Sequence, residues 1–242
     1  MSNQLILAFE HRPALGGEDF LVADGNRDAV AWLDRWPDWP APALVVHGPA
    51  GCGKSHLAQV FLAHCGGREA TGADLAALEP QALIGPGKAC VVEDAEALLA
   101  RGLQRPLLHL YNSLRDCGGH LLLTARRPPV LWDMPLADLR SRLLAAPAVA
   151  IGAPDDALLA AVLVKLFADR QLKVEAGVVP FLAARIDRSF AAARRWVAAL
   201  DEAALASRRN ITIPFVRRIL AAQGETSDPA ESRMAVPPTN PD

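Results

Sequence analysis

Ala43-Leu44-Val45-Val46-His47-Gly48-Pro49-Ala50-Gly51-Cys52-Gly53-Lys54-Ser55 runs from an unbroken apolar stretch into a glycine-rich turn that closes on a lysine and a hydroxyl. An apolar run of this length has the pattern of a parallel strand buried on both faces. The turn fits G-x-x-x-x-G-K-S, and Lys54 to Cys65 read as a helix stopped by Gly66-Gly67. In a strand–loop–helix of this kind, backbone N–H groups converge into an anion nest and the helix adds the positive end of its dipole. The expected ligand is the phosphate chain of an adenine nucleotide, ADP or ATP, cradled by Gly48, Pro49, Ala50, Gly51, Cys52 and Gly53. Lys54 is then the residue that reaches the β and γ phosphates, and Ser55 the one that offers its hydroxyl to Mg²⁺.

Working outward, Lys88-Ala89-Cys90-Val91-Val92, His120-Leu121-Leu122-Leu123-Thr124 and Ala148-Val149-Ala150-Ile151 read as three more buried strands. Helical stretches lie between them, notably Leu107 to Cys117, which a second glycine pair, Gly118-Gly119, brings to an end. Upstream, Asp28 to Trp36 has helical spacing and is stopped by Pro37, Pro40 and Pro42. Strands alternating with helices predict an α/β fold with a parallel sheet between helical layers. After Pro154 the strand pattern ceases. One helix is predicted from Asp155-Asp156 to about Gln171, and three more end near Leu220, the third capped by Asp187 or Ser189 and the fourth opened by Pro214. The predicted organisation is an extended peptide and joint over 1–17, an α/β nucleotide-binding domain over 18–153, a small all-helical lid over 154–222 and a polar, proline-rich disordered tail over 223–242.

Composition narrows the functional classes. Hydrophobic residues make up 51% of the 242-residue chain and the formal net charge is −2, which supplies a core but no broad basic surface for nucleic acid. Any DNA contact is therefore expected to be local or made through partners. Cys52, Cys65, Cys90 and Cys117 are far apart with no C-x-x-C pair, so they are expected to be reduced thiols rather than metal ligands. No secretory leader and no membrane-length apolar run is present, and a cytoplasmic protein is expected.

Three further groups carry chemistry. The strand ending at Val92 is followed by Glu93-Asp94, where one carboxylate can hold Mg²⁺ and its neighbour can polarise an attacking water. Thr124 ends the next strand, either within reach of a γ-phosphate or capping the turn before Pro128-Pro129. Arg140-Ser141-Arg142 lies in a helix and reads either as a surface arginine pair or as a charge offered to a neighbouring subunit's γ-phosphate.

These motifs in this order resemble the AAA+ ATPases, and within them the DnaA-like branch and its Hda-type regulatory inactivators. The resemblance is carried by Gly53-Lys54-Ser55-His56-Leu57, Leu108-His109-Leu110-Tyr111-Asn112, Leu122-Leu123-Thr124 with Arg127-Pro128-Pro129, Leu139-Arg140-Ser141-Arg142-Leu143, and Ile211-Thr212-Ile213-Pro214-Phe215-Val216. It spans about residues 18–222. It implies a base-binding role for Asp19-Phe20-Leu21-Val22 and Asn26, phosphate-loop contacts extending to His56, Mg²⁺ at Ser55 and Glu93, a water-polarising role for Asp94, and an arginine finger at Arg142. The N-terminal Gln4-Leu5-Ile6-Leu7-Ala8-Phe9 resembles the peptide by which Hda proteins bind the β sliding clamp of DNA polymerase, with Gln4, Leu5, Leu7 and Phe9 as its contacts. A glutamine and alternate apolar side chains on an extended peptide suit an apolar groove with a polar edge.

The chain also departs from the family pattern. Glu93 stands where an Asp is usual, Asp94 where many members have Glu, Arg126 near an acidic sensor position, and Ala191 where the lid arginine aligns, with Arg188, Arg194 and Arg195 nearby. The resemblance with these departures implies weak hydrolysis by the chain itself and a role in trans: clamp-bound, stimulating ATP hydrolysis by DnaA and so restraining replication initiation. With the polar, proline-rich stretch after Leu220, no helix-turn-helix DNA-binding domain is expected, and a regulator is expected rather than an initiator. Head-to-tail self-association is a further expectation of an arginine-finger interface. The alternatives from the sequence are a self-contained P-loop ATPase, such as a helicase-loader-like protein, and a passive clamp-bound adaptor.

Overall fold

The computed structural model of the chain describes residues 21–207 and 209–222. The apolar runs form strands because each is covered on both faces. Five parallel strands stand in the order β2-β3-β4-β1-β5: β1 Ala43–His47, β2 Arg68–Glu69, β3 Ala89–Val92, β4 His120–Ala125 and β5 Ala148–Ala150. Alternate residues of one strand point to opposite faces. Val45, Val92, Leu121 and Leu123 accordingly enter one apolar cluster, and Leu44, Val46, Val91 and Leu122 the other. Helices α1 (Arg27–Asp34) and α2 (Lys54–Cys65) cover the second face. The first face is covered by α3 (Gly72–Ala77), α4 (Ala95–Ala100), α5 (Gln104–Asp116) and α6 (Ala137–Ala145). This is the three-layer parallel α/β architecture expected from the sequence.

The lid follows as α7 (Asp156–Asp169), α8 (Val178–Ala183), α9 (Phe190–Ser207) and α10 (Ile213–Ala222). Asp155 caps α7 by accepting from the Leu158 N–H at 2.7 Å, and Ser189 caps α9 by accepting from the Ala192 N–H at 3.1 Å. A third apolar cluster, centred on the fully buried Trp196, draws only on residues from Leu159 onward. That cluster shares no residue with either sheet cluster. Three features of the described residues were not foreseen. The two-residue edge strand β2 is exposed and too short to show a period, and α3 and α4, six residues each, carry no sustained apolar repeat. A single parallel bridge, Val174 to Ile211, also lies within the otherwise helical lid. Cys52, Cys65 and Cys90 are buried, and burial pushes the Cys90 thiol up to about 12, so it stays protonated.

Under the N-terminal end of the sheet, Trp36 and Trp39 pack edge-on against His120, with Phe61 and His64 beside them. Burial pulls the His120 imidazole below its ordinary value of 6.5, against the opposing pull of Asp38. His47 is lowered from the same value by burial and then by the Lys54 ammonium. The unfolded chain therefore binds more protons than the folded one as pH falls below about 6.5. Stability is fully present above that value and is lost as pH drops through the two folded-state values. Urea unfolding is expected to show a lower midpoint at about pH 5.5 than at about pH 7.5. A midpoint that does not move would contradict this electrostatic account.

Candidate nucleotide site

The phosphate loop starts where three strands end together. The Gly48 N–H donates to the Ala125 carbonyl at 3.1 Å, and the Ile151 N–H donates to the His47 carbonyl at 2.7 Å. A side chain at Gly48 would place its Cβ 2.2 Å from the Ile151 carbonyl oxygen, so only glycine fits. Gly51 and Gly53 have φ of +74° and +106°, a left-handed backbone that turns the loop into the first turn of α2. Lys54, 8% exposed, folds back across the loop and donates to the carbonyls of Gly48 and Pro49, both at 2.8 Å. A buried ammonium held at the centre of an amide-rich loop is fitted to a polyphosphate.

The two residues expected at the metal meet directly. The Ser55 hydroxyl, at the start of α2, donates to Glu93 Oε2 at the end of β3 in a close contact. Among the described residues no group of three or more His, Cys, Asp or Glu forms a metal cage. One hydroxyl and one carboxylate beside a phosphate loop fit Mg²⁺, which keeps waters and takes its other ligands from phosphates. Bound there, the ion would neutralise phosphate charge. Asp94 follows in the left-handed region, φ +49°, and its N–H donates to Thr124 Oγ1 at 3.2 Å. Thr124, 1% exposed, thus ties the acidic turn to β4, a role absent from both sequence readings of this residue. Arg126 lines a cavity of about 240 Å³ with Asp94 and Glu96, while Arg127 pairs with Glu96, Nε to Oε1 at 2.7 Å.

The lid sits directly on the loop. The Phe190 N–H donates to the Gly51 carbonyl at 2.9 Å, and a Cβ on Gly51 would come within 2.7 Å of the Ser189 Cβ. The Phe190 ring lies against Gly53, 3.0 Å from where a Cβ would stand. Beside it, a cavity of about 190 Å³ is walled by Leu21, Asn26 and His56 from before and within the α/β layers and by Leu158, Val162 and Phe190 from the lid. Lys165, Asp169 and Arg194 line it too, from exposed positions. An apolar slot with a polar edge next to a phosphate loop suits a nucleoside.

The sequence points to Leu21, Asn26 and His56 and, from the lid, to Arg194, but not to the apolar lid residues Leu158, Val162 and Phe190. The apolar spacing of α7 carried a signal for a buried face, not for which face meets the other domain. Asn26 is 4% exposed and organises the turn before α1: its side-chain oxygen accepts from the Ala23 N–H at 2.8 Å and its amide donates to the Leu21 carbonyl at 3.0 Å. Val22 packs against the core under α1 and α2. Asp19, Phe20 and the proposed clamp contacts Gln4, Leu5, Leu7 and Phe9 lie outside the described residues. Of the lid arginines considered, Arg188 is paired with Asp156 within the lid at 2.9 Å and Arg194 reaches the cavity, while Ala191, at the aligned position, faces Gly51.

Arg142 stands apart. It is on α6, whose Leu139 and Leu143 pack into the cluster on the sheet face opposite α2. Its guanidinium lies 5.5 Å from the centre of the Tyr111 ring and 3.7 Å from Asp138. Arg140 is exposed.

Replacing Lys54 by alanine removes the ammonium expected to meet the phosphates and, with it, the charge that helps to depress His47. Adenine-nucleotide affinity is expected to fall by about a hundredfold, at 1.5–3 kcal/mol per bond to a charged group. In the same variant the His47 pKa moves up, yet stays below its ordinary value, because burial is the larger cause. Calorimetry and imidazole NMR titration check the two effects separately. A stationary His47 resonance would show that Lys54 does not set the field at the loop.

Comparison with known proteins agrees with this geometry. The family model described as the Hda lid domain matches residues 156–220. An uncharacterised protein of Haemophilus influenzae is 26% identical over 85% of this chain and 90% of its own length. Among solved structures, domain III of the replication initiation protein DnaA from Thermotoga maritima superposes with a TM-score of 0.72 at 20% identity, covering 87% of this chain and 97% of that one. The replication initiator DnaA bound to AMPPCP and single-stranded DNA gives 0.62 at 18% identity, covering 83% of this chain and 70% of that one. At these identities the structural likeness speaks for the fold. Among the described residues no helix is long and apolar enough to cross a membrane. The chain thus carries an Hda lid-domain match over residues 156–220 on a fold like that of DnaA domain III.

Proposed function

We propose that this protein binds ADP or ATP with Mg²⁺ at Gly48–Ser55 and Glu93, attaches to the sliding clamp through residues 4–9, and stimulates hydrolysis of the ATP held by DnaA. The placement of Arg142 carries this reading. The arginine is on α6, across the sheet from α2, and its contacts are with its own neighbours Tyr111 and Asp138. An arginine so placed serves a phosphate brought by another molecule, where it stabilises charge that develops only in the transition state. The chain's own nucleotide then has a structural task. It fills the seam between loop and lid, where Phe190 already bonds Gly51, and holds the two at one angle. The AMPPCP bound by a DnaA structure of the same fold supports an adenine nucleotide in that seam. Activity is thus directed at a partner, with weak turnover at Glu93 and Asp94.

The experiment is single-turnover hydrolysis of DnaA-bound ATP with this protein and clamp loaded on DNA, omitting each component in turn. Stimulation should require all of them. Hydrolysis that proceeds at the rate of DnaA alone with every component present would overturn the proposal. A self-contained ATPase would instead turn over ATP without DnaA. A passive adaptor would retain its function after Lys54→Ala.

A further inference from the structure

Arg142 lies over an aromatic ring, with the guanidinium carbon 5.5 Å from the centre of Tyr111. Its side chain is 24% exposed, and its Nε is buried with no hydrogen-bond partner. A terminal nitrogen is 3.7 Å from Asp138, one turn back on the same helix, whose own side chain is 67% exposed. An ion pair so open to water fixes geometry weakly. Among the described residues, the charged head also lies over the face of Tyr111. Tyr111 is 5% exposed and belongs to the core of α5, together with Leu107, Leu110 and Leu114. The ring therefore cannot move without disturbing the sheet, whereas the long arginine can.

From this contact we infer that Tyr111 is the positioning residue for Arg142: the ring face holds the guanidinium pre-oriented on α6 for delivery to the partner's γ-phosphate. The inference rests on Arg142 acting in trans as proposed above. An arginine chain has many rotamers, and ordering it before the partner docks removes that cost from the catalytic step. Cation–π attraction comes from the electron-rich ring face, so the phenol oxygen is not needed for it. Burial raises the phenol pKa above its ordinary value of 10, despite opposing pulls from Arg142 and Arg115, so the ring is neutral at working pH.

The test follows DnaA-ATP hydrolysis with clamp and DNA, separating the maximal rate from the DnaA concentration that gives half of it. Tyr111→Phe is expected to match the wild type, and Tyr111→Leu to lower the maximal rate about tenfold with the half-saturating concentration unchanged. Removing a buried ring can also unsettle the core. A series of increasingly fluorinated phenylalanines at position 111 therefore keeps the shape while draining the ring face of electron density. The maximal rate should fall with each added fluorine, at constant thermal midpoint. A rate that stays flat along the series overturns the inference. Arg142→Ala distinguishes the two levels. If it stimulates like wild type, the trans-arginine reading fails; if it is inactive while the fluorinated series is flat, only the role of Tyr111 fails.

Discussion

Arg142→Ala is expected to reduce DnaA-ATP hydrolysis to the rate of DnaA alone, a loss of the factor of about 10³ or more that an arginine delivered in trans supplies. The size follows from where the charge acts. A guanidinium in the ground state of this protein contributes little to its own fold. The Tyr111 contact at 5.5 Å and the open pair with Asp138 together are worth about 1 kcal/mol. Against a metaphosphate-like transition state in a site closed to water, the same charge is worth several times more. The variant should therefore bind its nucleotide, clamp and DnaA as the wild type does, and melt within a few degrees of it. Arg142→Lys is expected to fail as well, because an ammonium lacks the planar fork and stacks less well on the ring. Stimulation retained by the alanine variant would move the chemistry to another residue.

A second large effect is expected in the lid. Trp196 is fully buried at the centre of the lid's apolar cluster, and that cluster shares no residue with either sheet cluster. Trp196→Ala removes the largest side chain there and leaves a cavity, at a cost of about 3–5 kcal/mol. Because the cores are separate, the lid should unfold in an earlier transition while the sheet remains. Trp36 and Trp39, packed against His120 under the sheet, report the later one by fluorescence. The indole N–H of Trp196 is buried with no hydrogen-bond partner. Trp196→Phe removes this uncompensated donor along with part of the ring, so it should be far milder than the alanine change. Saturating nucleotide adds about 2.7 kcal/mol at a hundred times its dissociation constant, and only to a lid that is folded onto the loop. Trp196→Ala should thus be partly rescued by ADP. Coincident, wild-type-like transitions would mean that the lid does not depend on this core.

Much of this was open to reading because local rules agreed with the fold. Ala43–Val46 and Leu121–Leu123 are apolar at every position, which only a strand covered on both faces tolerates, and Gly66 ends α2 in the left-handed conformation that glycine favours. Edge strand β2 was invisible for the opposite reason: two exposed residues, Arg68 and Glu69, pair only because β3 already stands beside them. The lid residues Leu158, Val162 and Phe190 looked like ordinary helix-face and helix-start positions. Their part in the cavity wall depends on how α7 and α9 meet Leu21, Asn26 and His56, and that is a packing outcome with no local code.

By itself the sequence determined the phosphate loop, its following helix and the acidic strand end, because an anion nest is made of consecutive backbone and needs glycine at fixed spacing. Only the tertiary structure decided that Ser55 meets Glu93, that Thr124 holds Asp94, and that Phe190 rests on Gly51. It alone set Arg142 on Tyr111, across the sheet from the loop. Those pairs lie dozens of residues apart along the chain, and sidedness and distance between such residues arise only when strands register and helices choose their faces.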